Sequence, residues 1–402
     1  MLNAYIGRQA IYTREKEVYA YELLYRSGAS GAADFVDGSQ ATSQVVLNSF
    51  LEIGLKKLVG TCRAFINCTR DFLTQGHALA LPPERLVLEV LEDVEPDAEI
   101  LATLRSLKDA GYTIALDDFV LRESRNPLLE LADLIKVELP ALTRDEIAQH
   151  VDALRPRGVT LLAEKVETQE EFEFCSELGF DLFQGYFLSR PNIVQERRAP
   201  ASRLAMLRVL ARLQDPGLKT GELEALISQD LTLSYKILRY INSAAFALPR
   251  KMNSIQEAVI YLGQDIIRHW ATMILMAGID DKPLDLINRS LIRSKMCEQL
   301  AASLGATEIR KYSTAGLLSM LDALMDQPMA ELLSQLPLSD DINRALTRRE
   351  GRLGAVLHCT MAYERGDWDA TRGLELSAGE LQRCYLEAID WANGVTRELM
   401  AA

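Results

Sequence analysis

A chain of 402 residues exceeds one ordinary domain, and at roughly 150 residues per domain it predicts two or three. Its 48% hydrophobic and 25% charged content is that of a globular protein and excludes a disordered, collagen-like or disulfide-scaffold chain. With 44 basic against 57 acidic residues the net charge is −13. Duplex DNA is bound by Lys and Arg that replace its counterions, so no nucleic-acid polymer is expected as a partner. A small anion remains open, because one local Arg or a bound metal ion dominates the field of its own site.

The N-terminal residues Met1–Arg8 lack the basic segment, apolar run and small-residue cleavage site of a signal peptide. No stretch holds 18 uninterrupted apolar residues, so no membrane span is expected. Six cysteines are scattered without a C-x-x-C pair, which fits reduced thiols rather than a disulfide framework. The expected location is the cytoplasm.

Up to about Pro191, short apolar runs alternate with amphipathic segments. The runs are Glu17–Leu24, Ala64–Asn67, Leu86–Leu91, Thr113–Leu116, Leu134–Val137, Thr160–Ala163 and Leu182–Phe187. Helical patterns fall between them at Gln44–Leu58, Asp97–Asp109 and Gln169–Leu178. This alternation predicts an α/β fold, a parallel sheet covered by helices, and leaves open whether the sheet closes into a barrel. A polar stretch over 192–200, ending in Pro200, reads as a linker. Beyond it the strand pattern stops. Leu204–Leu213, Thr220–Gln229, Ser234–Ser243, Ile255–Leu262, Asp265–Ala277, Asn288–Leu304 and Ser313–Met325 carry apolar residues at three- and four-residue spacings. Ser377 and Glu380 form a candidate capping box that opens a last helix with Leu381, Cys384, Tyr385 and Ile389 on one side. The expected domains are therefore 1–191, α/β, and 201–402, all-α.

In the first half, strand after strand ends in a polar or acidic residue: Glu22, Asn67, Glu89 with Glu92, Asp117 with Asp118, Lys136, Glu164 with Glu167, and Gln184. One glutamate at a strand end is ordinarily a solvated turn residue or a helix cap. The repetition of an acidic or amide residue at six of these strand ends points to convergence, because in a β/α barrel the ends meet on the face that carries chemistry. Crowded carboxylates raise one another's pKa unless a cation compensates. Their hard oxygens suit Mg²⁺, Mn²⁺ or Ca²⁺ rather than zinc, and paired divalent ions suit phosphodiester hydrolysis.

These residues resemble the EAL family of cyclic di-GMP phosphodiesterases, and more closely the proteins that join a variant EAL domain to an HDOD domain. Glu22-Leu-Leu-Tyr-Arg26 stands where the family has Glu-Ala-Leu-x-Arg, and the match runs in order to Gln184-Gly-Tyr-Phe-Leu-Ser-Arg-Pro191. The resemblance implies a modified, TIM-like β/α barrel. It also implies metal ligation by Glu22, Asn67, Glu89 and Asp117, with Asp118 helping to hold a second ion. By the same resemblance Lys136 positions the attacking water or the phosphate, Glu164 is the general base, and Arg26 contacts the nucleotide. Gln184 and Glu167 correspond to residues at or behind the metal site, and Glu92 to a glutamate anchoring the loop after the Asp pair. Mg²⁺ or Mn²⁺ is the implied cofactor, with Ca²⁺ an alternative occupant.

The chain departs from the family at that loop. Asp117-Asp-Phe-Val-Leu-Arg-Glu-Ser124 replaces two glycines of the family pattern with Val120 and Arg122, losing positions that permit positive φ. Lys165 stands where the family has Gly, and Glu138 where it has Asp. On a regular strand Lys165 would point away from the Glu164 face.

Residues 201–395 resemble the HDOD domain, carried by Ile227–Arg239, Ile241-Asn-Ser-Ala244, Ser254–Gly263 and Ala315-Gly-Leu-Leu318. HDOD domains are related to hydrolases that use an adjacent His-Asp pair, and no such pair occurs in this chain. His269 is expected to pack among helices rather than bind metal, and Met273 and Met276 to fill core. Trp270, Trp368 and Trp391 read equally as core or interface anchors.

The leading expectation is a cyclic di-GMP signalling protein whose barrel binds the dinucleotide with little or no turnover. Its HDOD half would pass that state to an unidentified signalling protein. The alternative is an Mg²⁺- or Mn²⁺-dependent phosphodiesterase forming linear pGpG, and the third a nucleotide-independent scaffold. Homodimerisation is common in the family, and the altered loop leaves it open here.

Overall fold

A computed structural model of the chain describes residues 4–27, 55–76, 82–117, 127–189, 201–243, 248, 250–278 and 282–400. The expected linker 192–200, the altered loop after Asp117 and most of the helix expected over 44–58 lie outside the described residues. The chain divides into two compact units. One is Met1–Leu188 with Ala362–Asp369 and Leu376–Arg383; the other is Ser189–Met361 with Ala370–Glu375 and Cys384–Ala402.

The first unit is a closed barrel of strands in sequence order: β1 (Ala4–Thr13), β2 (Val18–Ser27), β3 (Arg63–Cys68), β4 (Leu86–Val90), β5 (Thr113–Leu116), β6 (Leu134–Glu138), β7 (Thr160–Val166) and β8 (Leu182–Gly185). Neighbours from β2 to β8 are parallel, whereas β1 is antiparallel to both β2 and β8. The all-parallel expectation is thus corrected at its first strand. The cause is a tight hairpin in which Thr13 N–H donates to Glu17 O (2.9 Å) and Lys16 takes φ 63°. So short a link joins antiparallel strands only, since a parallel crossover needs about a dozen residues.

Between the parallel strands run α1 (Leu55–Val59), α2 (Arg70–Thr74), α3 (Ala98–Asp109), α4 (Arg144–Leu154) and α5 (Gln169–Leu178). Asp97 starts α3 by accepting the Ile100 N–H at 2.9 Å, and the helix buries Ile100, Leu104 and Leu107 at i, i+4 and i+7. Reciprocal capping boxes, Thr143 with Glu146 and Thr168 with Glu171, open α4 and α5. Gly179, at φ 108°, ends α5 where a side chain would be strained.

After Ser189 the described residues form no strand. The helices are α6 (Ala201–Gln214), α7 (Thr220–Ser228), α8 (Leu231–Ile241), α9 (Ile255–Leu262), α10 (Gln264–Ala277), α11 (Leu284–Ser303), α12 (Ile309–Leu318), α13 (Leu321–Met325), α14 (Met329–Ser334), α15 (Asp340–Arg348), α16 (Gly351–Glu364) and α17 (Ala378–Met400). The helix expected over Ser313–Met325 is broken into α12 and α13, because Ser319 turns back on Gly316 O through its hydroxyl (2.7 Å) and its N–H (3.3 Å). Ser377 and Glu380 form the expected capping box, and Leu381, Cys384, Tyr385 and Ile389 are buried. Met273, Met276, Trp270 and Trp368 are buried as well. No helix among the described residues is long and apolar enough to cross a membrane.

Candidate active site

Side chains alternate between the two faces of a strand, so residues two apart share a face. Each strand of the barrel contributes one residue to an apolar floor: Ile11, Ala20, Phe65, Val87, Ala115, Leu134, Leu162 and Leu182. Two residues further along β2 to β8 stand Glu22, Asn67, Glu89, Asp117, Lys136, Glu164 and Gln184. Alternation therefore lifts one polar residue per strand directly above the floor. Asp117 lies just past β5, held by its N–H to Val90 O at 3.0 Å. On the antiparallel β1 the equivalent position is two residues earlier, Gln9, which pairs with Glu22 in the ladder. Sequence reasoning missed Gln9, since no strand was expected before Glu17.

Lys136 is the centre of the ring. Its Nζ lies 2.8 Å from Asp117 Oδ1, 2.8 Å from Glu164 Oε1, 3.0 Å from Glu89 Oε1 and 3.8 Å from Glu22 Oε2. Glu89 and Lys136 are 0% and 1% exposed, and Glu22 and Glu164 are buried. Burial opposes the charge on Lys136, but the four surrounding carboxylates outweigh it and hold its pKa well above the usual lysine range. Burial pushes Glu89 well above the usual carboxylate range, Glu22 adds repulsion, and Lys136 offsets only part of this. Burial also raises Glu164, to about 7, against the pull of Lys136 and with the repulsion of Asp117 and Glu22.

The two amides are oriented by Glu22. Asn67 Nδ2 donates to Glu22 Oε1 at 3.0 Å and Gln184 Nε2 to Glu22 Oε2 at 2.5 Å. Asn67 Oδ1, Gln184 Oε1 and Glu89 Oε2 are buried without a hydrogen-bond donor, while Glu89 Oε1 faces only the Lys136 ammonium. Orphaned acceptors of this kind cost free energy unless a cation or water meets them. Carboxylate and amide oxygens are the donor set of a hard divalent ion, so the residues fit Mg²⁺, Mn²⁺ or Ca²⁺ in chemistry. Among the described residues no three His, Cys, Asp or Glu side chains are already gathered in metal-binding geometry; the carboxylates close on the Lys136 ammonium instead.

The other expected residues are not drawn into this cluster. Glu92 and Glu167 stand exposed beyond the ends of β4 and β7, where Glu167 N–H donates to Glu171 Oε2 at 2.7 Å. Arg26 lies in β2, with its side chain outside the described residues, and Asp118 lies outside them altogether. Lys165 does not sit on a regular strand. The β7–β8 register shifts between Ala163 and Val166, and Lys165 takes φ 55°, a conformation glycine adopts without cost. Its Nζ lies 2.6 Å from Glu138 Oε2, so the two departures from the family pattern form one ion pair. Opposite this bulge Gly185, at φ 154°, leaves no room for a Cβ, which would fall 2.0 Å from Val166 O. In the helical unit His269 is half-buried, edge-on to Trp270, with Nε2 at 3.4 Å from Ser313 Oγ and 3.5 Å from Ser294 Oγ.

The EAL domain model matches residues 65–191 and the HDOD domain model residues 200–364. YuxH, an uncharacterized protein of Bacillus subtilis, is 33% identical over 405 residues, covering 98% of this chain and 99% of its own. CdgJ, a cyclic di-GMP phosphodiesterase of Vibrio cholerae, is 32% identical over 406 residues, covering 99% of this chain and 94% of its own. A structure of Klebsiella pneumoniae BlrP1 with calcium and cyclic di-GMP aligns with TM-score 0.40 and 28% identity over 47% of this chain and 56% of that one. The chain belongs to the EAL family of cyclic di-GMP phosphodiesterases and, within it, to the proteins that join an EAL domain to an HDOD domain.

Proposed function

We propose that the barrel binds cyclic di-GMP above the polar ring and hydrolyses it to linear pGpG with a divalent cation, Mg²⁺ or Mn²⁺, with Ca²⁺ an alternative occupant. The observation that carries this reading is the unbroken ring itself, with Lys136 and the proton acceptor Glu164 in contact at its centre. A full-length relative of the same two-domain build, CdgJ, is a cyclic di-GMP phosphodiesterase. Glu22, Asn67, Glu89 and Asp117 would hold the ion, with Asp118 beside them. Such an ion, when bound, neutralises developing charge at a phosphate. Glu164, raised to about 7, is matched to taking a proton from water near neutral pH. As the water oxygen bonds to phosphorus, the bond from phosphorus to the 3′ oxygen breaks, Glu164 takes the water's proton, and the 3′ oxygen gains a proton from solvent to give the hydroxyl of linear pGpG. Lys136, held charged, faces the phosphate oxygens, while Arg26 and Gln184 orient the nucleotide.

A second reading, binding with little turnover, is favoured by Val120 and Arg122 in place of the family's loop glycines. In either case we assign the helical half to interaction with a signalling protein; Leu231 and Ile260 there are 83% and 77% exposed.

The deciding experiment is cyclic di-GMP turnover with Mg²⁺ and separately Mn²⁺, products separated chromatographically, with Glu22→Ala as the contamination control. Linear product from the parent and none from the variant supports hydrolysis. Intact cyclic di-GMP, recovered bound to the protein, selects the second reading; no binding with metal present leaves a scaffold.

A further inference from the structure

The helical unit holds a cavity of about 250 Å³ that is unrelated to the barrel ring. Arg268 and His269 of α10 line it, together with Arg310 and Lys311 of α12, and Asp265 is the one carboxylate in its wall. Lys311 is already engaged, at 3.0 Å from Glu308 and 3.1 Å from Asp341. Arg268 and Arg310 have no ion-pair partner among the described residues, and Arg268 Nε is buried without an acceptor. Two arginines without a carboxylate partner thus line one cavity of a chain whose net charge is −13. Burial first, then the charges of Arg310 and Lys295, hold the neighbouring His269 neutral, with its pKa down at about 3. A wider cleft shares Pro216, Asp265, Arg268 and Arg310, so the cavity is reachable from solvent.

We infer that this cavity is a binding site for a small phosphate-bearing ligand, gripped by Arg268 from α10 and Arg310 from α12. A guanidinium offers a planar fork of donors, and two forks on different helices need more acceptors than one carboxylate carries. A phosphoryl group supplies three oxygens and the charge that the wall lacks. An anion there also satisfies the stranded Arg268 Nε, whose burial without an acceptor is otherwise unfavourable.

The test is calorimetric titration of the full chain with inorganic pyrophosphate and inorganic phosphate, in EDTA and at ionic strength matched with chloride. Arg268→Gln and Arg310→Gln, singly and together, are titrated beside it. Saturable binding is expected, weakened about tenfold or more by either substitution, the loss of one charge-assisted contact. Hydrogen exchange on the unsubstituted chain is expected to show ligand protection over 264–277 and 309–318, a readout independent of how the variants fold. Binding by the double variant within about twofold of the parent, or saturation without protection of those helices, overturns the assignment, as does absence of saturable binding at about 10 mM ligand.

Discussion

Lys136→Met removes the central cation from among Glu22, Glu89, Asp117 and Glu164 while keeping a side chain of similar length. At an effective dielectric of about 20, each contact near 3 Å is worth roughly 5 to 6 kcal/mol of attraction. Most of that is cancelled by repulsion among the carboxylates and by the cost of taking all five groups out of water. What survives in measurements of buried pairs broken from one side is about 3 to 5 kcal/mol, and that is the loss expected for the barrel at neutral pH in EDTA. The double variant Lys136→Met with Glu89→Gln should lose less than the single one, because the amide removes a charge that the lysine was offsetting. The assay is native-state hydrogen exchange of amides in β4 to β7, since a chain of two units need not unfold in one step. If Lys136→Met lowers the opening free energy by less than about 1 kcal/mol, or the double variant loses the sum of the two singles, the ring is not held by that ammonium.

Further outcomes follow from the same geometry. Glu164→Gln should reduce turnover by about 10² to 10⁴ while leaving dinucleotide affinity near that of the parent; an equal loss of affinity would make Glu164 a ligand-holding group. Gly185→Ala forces a Cβ onto Val166 O at a positive φ and should cost the barrel more than about 1 kcal/mol, seen as faster exchange in β7 and β8. Lys165→Gly relieves positive φ but gives up an exposed ion pair, so the net change should stay within about 1 kcal/mol of zero, and a loss above about 2 would contradict that balance. His269 titrates near 6.5 when unfolded and at about 3 when folded, so between those values the unfolded chain binds more protons. The helical unit should therefore lose stability as pH falls below about 6.5, by roughly 3 kcal/mol at pH 4, and His269→Asn should flatten that slope; parallel slopes would refute it.

Seven of the eleven expected site residues meet in one ring, and the reason they could be found is periodic. An acidic or amide residue at the end of a run such as Ile114–Leu116 or Leu161–Ala163 lies on the same face as the apolar residue two places before it, and closure of the barrel brings these faces together. Gln9 escaped notice because Gly7, Arg8 and Gln9 interrupt the apolar pattern of β1, and only the hairpin at residues 14–17 reverses its direction. The bulge at Lys165 had one sign, the glycine that the family has at that position; Ala-Glu-Lys-Val by itself reads as a regular strand and does not signal positive φ at a lysine. In the second half, amphipathic spacing located most helices, but the break at Ser319 depends on a hydroxyl choosing a backbone carbonyl, which spacing does not register.

The hairpin also shapes the mouth of the barrel. Strands β3 to β8 stop within two residues of the ring, whereas β2 continues five residues past Glu22 to Ser27, with β1 paired alongside from Ala4. At about 3.3 Å per residue that extension of β2 runs roughly 16 Å along the strand beyond the ring. If the barrel takes a two-fold symmetric dinucleotide, as proposed, the half that lies against this strand pair meets an antiparallel ribbon, and the other half meets the ends of parallel strands. The antiparallel first strand would then make the two ends of a symmetric ligand distinguishable to the barrel before any chemistry began.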